Sequence, residues 1–207
     1  MDSKQAEALL SAQRNFFRTG ATLPLAFRLE ALDRLYRAIE ARQPEICDAL
    51  RHDLGKSETE SYMCEIGLVL SEISYMRRHL RKFAGARTVP TPLAQFASHS
   101  FVQPVPYGNV LIMSPWNYPF LLSVEPLVDA IAAGNAAIVK PSAYAPATAQ
   151  SVRSLVESCF APEFVTVVTG GRQENAVLLA LKFDLIFFTG SPDLGKKVML
   201  AASKYLT

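Results

Sequence analysis

The chain has 207 residues, half of them apolar and 19% charged, with a formal net charge of +2. That length and balance suit an ordinary globular protein with one good core, or one domain plus a smaller helical part. So small a net charge implies no strong attraction to nucleic acid, and no nucleic-acid partner is expected. Cys47, Cys64 and Cys159 are odd in number and widely spaced. They form no CxxC or Cys/His pattern, so neither a zinc site nor a disulfide scaffold is expected, and a reducing compartment is the natural home. The start, Met1-Asp2-Ser3-Lys4-Gln5, leads into a polar helix without an apolar signal core. No window approaches an unbroken membrane-spanning run, and a cytoplasmic protein is the default expectation.

Residues 1–85 read as a helical segment. Leu25, Leu29, Leu32, Leu35, Tyr36 and Ile39 recur at three- and four-residue steps and make one apolar stripe. Ser57-Glu58-Thr59-Glu60 has the spacing of a capping box, in which hydroxyl and carboxylate each satisfy a free backbone N–H. Ile66, Val69, Leu70, Ile73 and Met76 continue with helical spacing to a stop near Gly85. The basic run Arg77-Arg78-His79-Leu80-Arg81-Lys82 reads as a last helical turn, where cations meet the negative end of the dipole. Residues 86–108 change character: Pro90, Pro92, Pro104 and Pro106 forbid a long helix, and Ser100 to Val105 reads as extended. This is a connector with one or two strands that pair outside the main sheet.

From 109 to 207 the rhythm alternates. Val110–Met113, Ala136–Val139, Val165–Val168 and Leu185–Phe188 are short and almost wholly apolar. Apolar runs without alternation are strands buried on both faces, hence a parallel sheet covered by helices. The intervening segments 119–133, 146–160 and 172–182, and a last one from 192, have the length of helical crossovers. The expected fold class is α/β: a Rossmann-like parallel sheet with helices on both faces, preceded by an N-terminal helical segment.

Several motifs fall where a strand ends and a helix begins, the ligand side of an open α/β sheet. In Phe188-Thr189-Gly190-Ser191, Gly190 permits a tight turn, Ser191 can cap, and Pro192 suits the first helical position. The result is an ordinary β-to-α turn or a helix N-terminus that receives a phosphate. Gly190, Gly195 and Lys196 also have the spacing of a P-loop, but Lys197 stands where a magnesium-binding hydroxyl is required. The fingerprint GxGxxG is absent, although Gly170-Gly171 follows a strand. Lys140 lies at a strand's end before Pro141, as a solvated lysine or as a donor to ribose or phosphate. Trp116 and Asn117 stand between Pro115 and Pro119, which fix the backbone around them. An asparagine so held is a turn residue or a preorganised oxyanion donor. Taken singly, each of these is a common turn; three such edges in one chain favour a shared ligand.

Together these motifs resemble the N-terminal, coenzyme-binding part of the aldehyde dehydrogenase superfamily, most closely its class 3 branch. The resemblance rests on Pro106-Tyr107-Gly108, Pro115-Trp116-Asn117-Tyr118-Pro119, Gly134-Asn135, Lys140-Pro141-Ser142 and Phe188-Thr189-Gly190-Ser191 with Gly195, in that order. It implies an enzyme that oxidises an aldehyde, a small-molecule substrate, to a carboxylate through a cysteine thioester, with NAD or NADP as cofactor, and that works as a homodimer. It implies a five-stranded Rossmann-like domain lacking GxGxxG. By the same resemblance, Asn117 stabilises the oxyanion, while Met113, Ser114, Pro115 and Trp116 line the nicotinamide side. Lys140 and Ser142 contact the adenosine ribose, and Gly170 and Gly171 form the wall near the adenine. Phe188, Thr189, Gly190 and Ser191 with Leu194 and Gly195 make the pyrophosphate loop.

Two departures from the family's pattern stand out. The acidic residue that usually follows Lys-Pro-Ser is Ala143 here. Without that carboxylate, NADP is expected to bind at least as well as NAD. No cysteine sits in the nucleophile motif, and the general-base glutamate and nucleophilic cysteine are expected beyond residue 207. This stretch alone is then expected to be inactive, with an uncovered apolar surface where a catalytic domain would dock. The alternative is a nucleotide-binding or subunit-pairing module without chemistry.

Overall fold

A computed structural model describes all residues from Met1 to Thr207. The N-terminal stripes form helices α1 (Ser3–Arg18), α2 (Leu25–Ala41) and α3 (Gln43–Leu54). Helix α1 opens on a reciprocal cap, with Gln5 N–H donating to Asp2 and Asp2 N–H to the Gln5 side chain. After Gly55, Ser57 Oγ accepts the Glu60 N–H at 3.1 Å, so the hydroxyl half of the expected capping box is present. The short helix α4 (Glu58–Ser61) does not run straight into α5 (Gly67–Phe83). A π-turn, Tyr62–Ile66, intervenes, and Gly67 N–H reaches back five residues to the Tyr62 carbonyl. A Cβ at Gly67 would lie 2.9 Å from that oxygen, so the wide turn needs glycine there. Arg81 and Lys82 occupy the last turn of α5, as the basic run suggests, and the helix stops at Phe83, just short of Gly85.

The proline-rich connector forms a separate antiparallel ribbon of β1 (Arg87–Val89) and β2 (Ser100–Val102). The main sheet holds β3 (Asn109–Met113), β4 (Ala136–Lys140), β5 (Val165–Val167) and β6 (Leu185–Phe188). All pairings are parallel and the order is β5-β4-β3-β6. The crossovers are α6 (Leu121–Ala133), α7 (Pro146–Cys159) and α8 (Arg172–Leu179); α9 (Pro192–Ser203) follows β6. The resemblance implies five strands in this sheet, whereas it holds four, and β6 pairs only with β3. Its second edge is open. Phe187 on that strand is exposed, as are Met199, Leu200 and Leu206 beyond it.

Strand alternation divides the core in two. Val110, Ile112, Ala137, Val139, Val165 and Val167 face a large cluster formed with α2, α3, α5, α6 and α7. Leu111, Met113 and Ile138 face a smaller one with Leu10 of α1, Leu178 of α8 and Val198 of α9. Helices thus cover both faces. The first helix crosses to the far face, anchored by buried Gln13, whose amide donates to the carbonyls of Ala137 at 3.0 Å and Pro162 at 3.1 Å.

Gly134-Asn135 proves to be a structural turn. Gly134 ends α6 in the left-handed region at φ +90°, with the Arg28 guanidinium 2.9 Å from where a Cβ would stand. Asn135 Oδ1 then accepts the Gly108 N–H at 2.9 Å and ties the start of β4 to the start of β3.

Helix α7 has no capping side chain of its own. Asp53, 95 residues earlier, supplies one: its carboxylate accepts Thr148 N–H at 2.7 Å, Thr148 Oγ1–H at 2.8 Å and Ala147 N–H at 3.2 Å. Burial alone would raise the Asp53 pKa, but the bonds from Thr148 and Ala147, with His52, outweigh it and hold the carboxyl below its usual value. The folded carboxyl therefore binds protons less readily than the unfolded one. Its stabilisation is complete above the unfolded pKa and is lost as pH falls through the folded one. Asp53→Ala is expected to cost about 1–2 kcal/mol near neutrality. Urea midpoints should show that deficit at pH 7 and a narrowing gap between the two proteins in acid.

Candidate functional site

Parallel register brings the strand ends level. Met113 pairs with Lys140 on one side and Phe188 on the other. The ladder continues one step past the strands: Ser114 N–H donates to the Lys140 carbonyl, Thr189 N–H to Met113, and Val168 N–H to Val139. All four following loops therefore leave from one edge of the sheet. Asn117, Lys140, Gly170 and Gly190 are carried there together from four separate stretches of sequence.

In the loop after β3, Pro115 is half-buried and Pro119 buried, while Trp116, Asn117 and Tyr118 are exposed. Met113 points its side chain into the smaller core. The Ser114 hydroxyl is buried and bonded to Ser123 Oγ at 2.6 Å, so it is a scaffold element of the loop. Two residues from the helical segment hold this loop, and the sequence reading does not single them out. Lys56 Nζ donates to the Asn117 carbonyl at 3.1 Å and lies 4.1 Å from the centre of the Tyr118 ring. Glu65 Oε2 accepts Phe120 N–H at 2.8 Å and Leu121 N–H at 3.0 Å, capping α6. Lys56 and Glu65 pair with each other at 2.6 Å, and they are 7% and 0% exposed. A signal existed in the sequence: Glu65 lies four residues before Val69 and eight before Ile73, a carboxylate on an apolar stripe. A charge on a buried face needs a partner.

Lys140 is 3% exposed. Its ammonium donates at 2.7 Å to the Pro141 carbonyl and at 2.7 Å to the Gly170 carbonyl. By sequence alone it could be a solvated or a ligand-bound lysine; the fold instead commits two of its three N–H groups to backbone. Burial lowers its pKa to about 8, with the Glu174 charge pulling the other way. Gly170 sits at φ +133°, and a Cβ there would lie 2.5 Å from the Glu174 carboxylate. Glu174 accepts the Gly171 N–H at 2.8 Å. Its own backbone amide, that of Gly171 and the N-terminal ammonium keep its carboxyl below the usual range. Ser142 is half-buried and takes the Tyr144 N–H, and Ala143 beside it is exposed.

After β6, Ser191 caps α9 by accepting the Leu194 N–H. The helix has already begun at Pro192, so Gly195 and Lys196 are helical and no P-loop can wrap a phosphate there. Gly190, Ser191 and Leu194 are exposed, and Thr189 is half-buried. The Phe188 ring folds back over the turn, where a Cβ at Gly190 would meet it at 2.5 Å. Cys64 is half-buried in the π-turn, next to Glu65. Cys47 and Cys159 are buried in the larger core, and burial pushes both thiols up. They behave as small apolar residues, not nucleophiles.

The profile of the aldehyde dehydrogenase family matches residues 1–207. The chain belongs to that family. Its relatives include the 4,4'-diaponeurosporen-aldehyde dehydrogenase of Staphylococcus aureus, 44% identical over 92% of this chain and 42% of that protein. Mouse aldehyde dehydrogenase family 3 member A2 is 44% identical over 94% of this chain and 40% of its own length. A solved structure described as the substrate-bound state of Staphylococcus aureus AldH superposes with a TM-score of 0.95 at 42% identity, covering 97% of this chain and 44% of that one. This aldehyde dehydrogenase chain thus spans about two-fifths of the length of the curated relatives it matches. The class 3 resemblance and the parallel sheet flanked by helices are both borne out. No helix of the chain is long and apolar enough to cross a membrane.

Proposed function

We propose that this chain is the coenzyme-binding part of an NAD- or NADP-dependent aldehyde dehydrogenase that oxidises aldehydes to carboxylates. The observation that carries this reading is the convergence of donors from four loops on one carboxyl edge of a parallel sheet, in a chain of that family. The residues present fit such a coenzyme. Exposed Gly190 and Ser191 at the start of α9 leave backbone groups open to a pyrophosphate. The third N–H of Lys140 and the Ser142 hydroxyl suit a ribose. Gly170 and Gly171 offer a flat wall, and Met113, Ser114, Pro115 and Trp116 shape the end nearest Asn117. Thr189, Leu194 and Gly195 complete the turn, and Phe188 supports it. When bound, the coenzyme supplies the hydride acceptor. In this reading the Asn117 side-chain amide donates to the oxyanion that forms when a thiolate attacks an aldehyde carbonyl.

The thiolate and the general base are proposed to lie outside these 207 residues, because no cysteine present stands in the family's nucleophile motif. Exposed Phe187, Met199, Leu200 and Leu206 beside the open edge of β6 suit the docking of further chain. The proposed homodimer would form through the β1–β2 ribbon, where Phe101 and Val102 are exposed. Calorimetric titration tests the reading directly: saturable binding of NAD or NADP is expected, and no binding of either would end it. NADP is expected to bind at least as tightly as NAD, because exposed Ala143 presents no carboxylate to a 2′-phosphate. Affinity for NADP should fall as pH rises past about 8, where Lys140 loses its charge. A strong preference for NAD would overturn the expectation for NADP while leaving the family and the coenzyme site intact.

A further inference from the structure

We infer that the buried Lys56–Glu65 pair is a positioning device for the oxyanion donor, clamping the loop that carries Asn117 from both ends. The inference rests on the role proposed for Asn117. The clamp's geometry does not: Lys56 holds the carbonyl of residue 117 itself, and Glu65 holds the N–H groups of residues 120 and 121. Between those grips lie Tyr118, stacked over the ammonium, and Pro119, whose carbonyl accepts the Ser123 hydroxyl at 2.6 Å. Every residue from 117 to 121 is thus restrained, while the Asn117 side chain is exposed.

The pair is built for this loop. Both charges are taken out of water, which is unfavourable unless each finds further hydrogen bonds. The further bonds all go to one segment. The π-turn contributes as well: a straight helix through Tyr62–Ile66 would present Glu65 at a different angle, and Gly67 admits the extra residue in the turn. Wide turns of this kind recur at functional sites. A carboxylate that only capped α6 would not require a lysine at the Asn117 carbonyl, and a pair that only filled the core would not reach the loop.

The test uses the intact protein, meaning these 207 residues together with the further chain proposed to carry the thiolate and general base, with Lys56→Met and Glu65→Gln combined. The double variant keeps side-chain volume and strands no buried charge, so it is expected to be more stable than Glu65→Ala. Two readouts are taken. In aldehyde oxidation, kcat is expected to fall on the order of tenfold to a hundredfold with KM for the coenzyme within about twofold. Adding Asn117→Ala is expected to slow the double variant no further than Asn117→Ala alone, since both act through one donor. Unchanged kcat, or losses that multiply, would overturn the inference. In amide hydrogen exchange, the Phe120 and Leu121 N–H groups, which lose the Glu65 carboxylate, are expected to exchange about tenfold faster or more, while those of β4 keep their protection. Unaltered exchange in the loop would overturn it equally. If the unsubstituted protein turns over no aldehyde, the proposed function falls, and the exchange measurement alone decides whether the clamp exists.

Discussion

Glu65→Ala is expected to lower the free energy of unfolding by about 3–5 kcal/mol. The change leaves the Lys56 ammonium buried without its 2.6 Å partner and leaves the Phe120 and Leu121 N–H groups without an acceptor. It also opens a void beside Ile66 and Phe120, which are fully buried. Most of the loss comes from the stranded charge, not from the worth of the pair, because an ion pair moved out of water gains little net energy. Glu65→Gln keeps the shape and one acceptor oxygen and should cost less. Replacing the exposed Glu7 should shift stability by no more than about 0.5 kcal/mol. Denaturant midpoints of the three variants give the ranking. For a domain of this size the Glu65→Ala deficit corresponds to a melting temperature lower by on the order of 10 °C.

Asn117→Ala is the second large effect, expected in kcat and not in stability. If the side-chain amide donates to the oxyanion, its removal should slow aldehyde oxidation in the intact protein by about 10²–10³-fold. The side chain is exposed, so the melting temperature should hardly move. Coenzyme affinity should also hold, because the ribose and pyrophosphate groups are assigned to other loops. A variant with full kcat would remove Asn117 from the chemistry. A variant with lost coenzyme binding and normal kcat would move it to the coenzyme site. The pairing of these two substitutions is informative: one damages the support and the other the donor, and only the first should lower stability.

Much of the fold is legible from local pattern. The strands Val110–Met113 and Leu185–Phe188 carry their own signal, because a run buried on both faces must be apolar at every position. Helix stripes are legible for the same reason, and Ser191 with Pro192 marks the start of α9. Boundaries drift where a proline or a turn competes. Helix α6 begins at Leu121 and not at 119, since Pro119 gives its carbonyl to Ser123. The π-turn is invisible to a reading of period 3.6, and it is why the expected capping box at Ser57 leads into a short helix.

The candidate site divides along the same line. Asn117, Gly170, Gly190 and Ser191 could be picked out because each lies at a junction between a strand and a helix, and such junctions are written in adjacent residues. Lys140 could be picked out too, but its partners could not: the Gly170 carbonyl that holds its ammonium is 30 residues away and becomes a neighbour only when β4 and β5 pair. The roles of Lys56, Glu65 and Asp53 are not legible in the sequence for a related reason. Each is a polar residue whose meaning is a backbone group 55 to 95 residues distant.

Local chemistry alone dictates that this chain alternates buried strands with covering helices and sets small, turn-forming and donor residues where each strand stops. Those properties depend on neighbours a few positions apart, and a linear pattern records them. Which donors meet, which are consumed by the scaffold and which stay open depends on parallel register and on helices arriving from the far end of the chain. Burial decides that outcome, because a charge or amide shut away from water must take the nearest partner the packing brings to it. Lys140 is turned inward by that requirement, and Lys56 and Glu65 are drawn under the Asn117 loop by the same one.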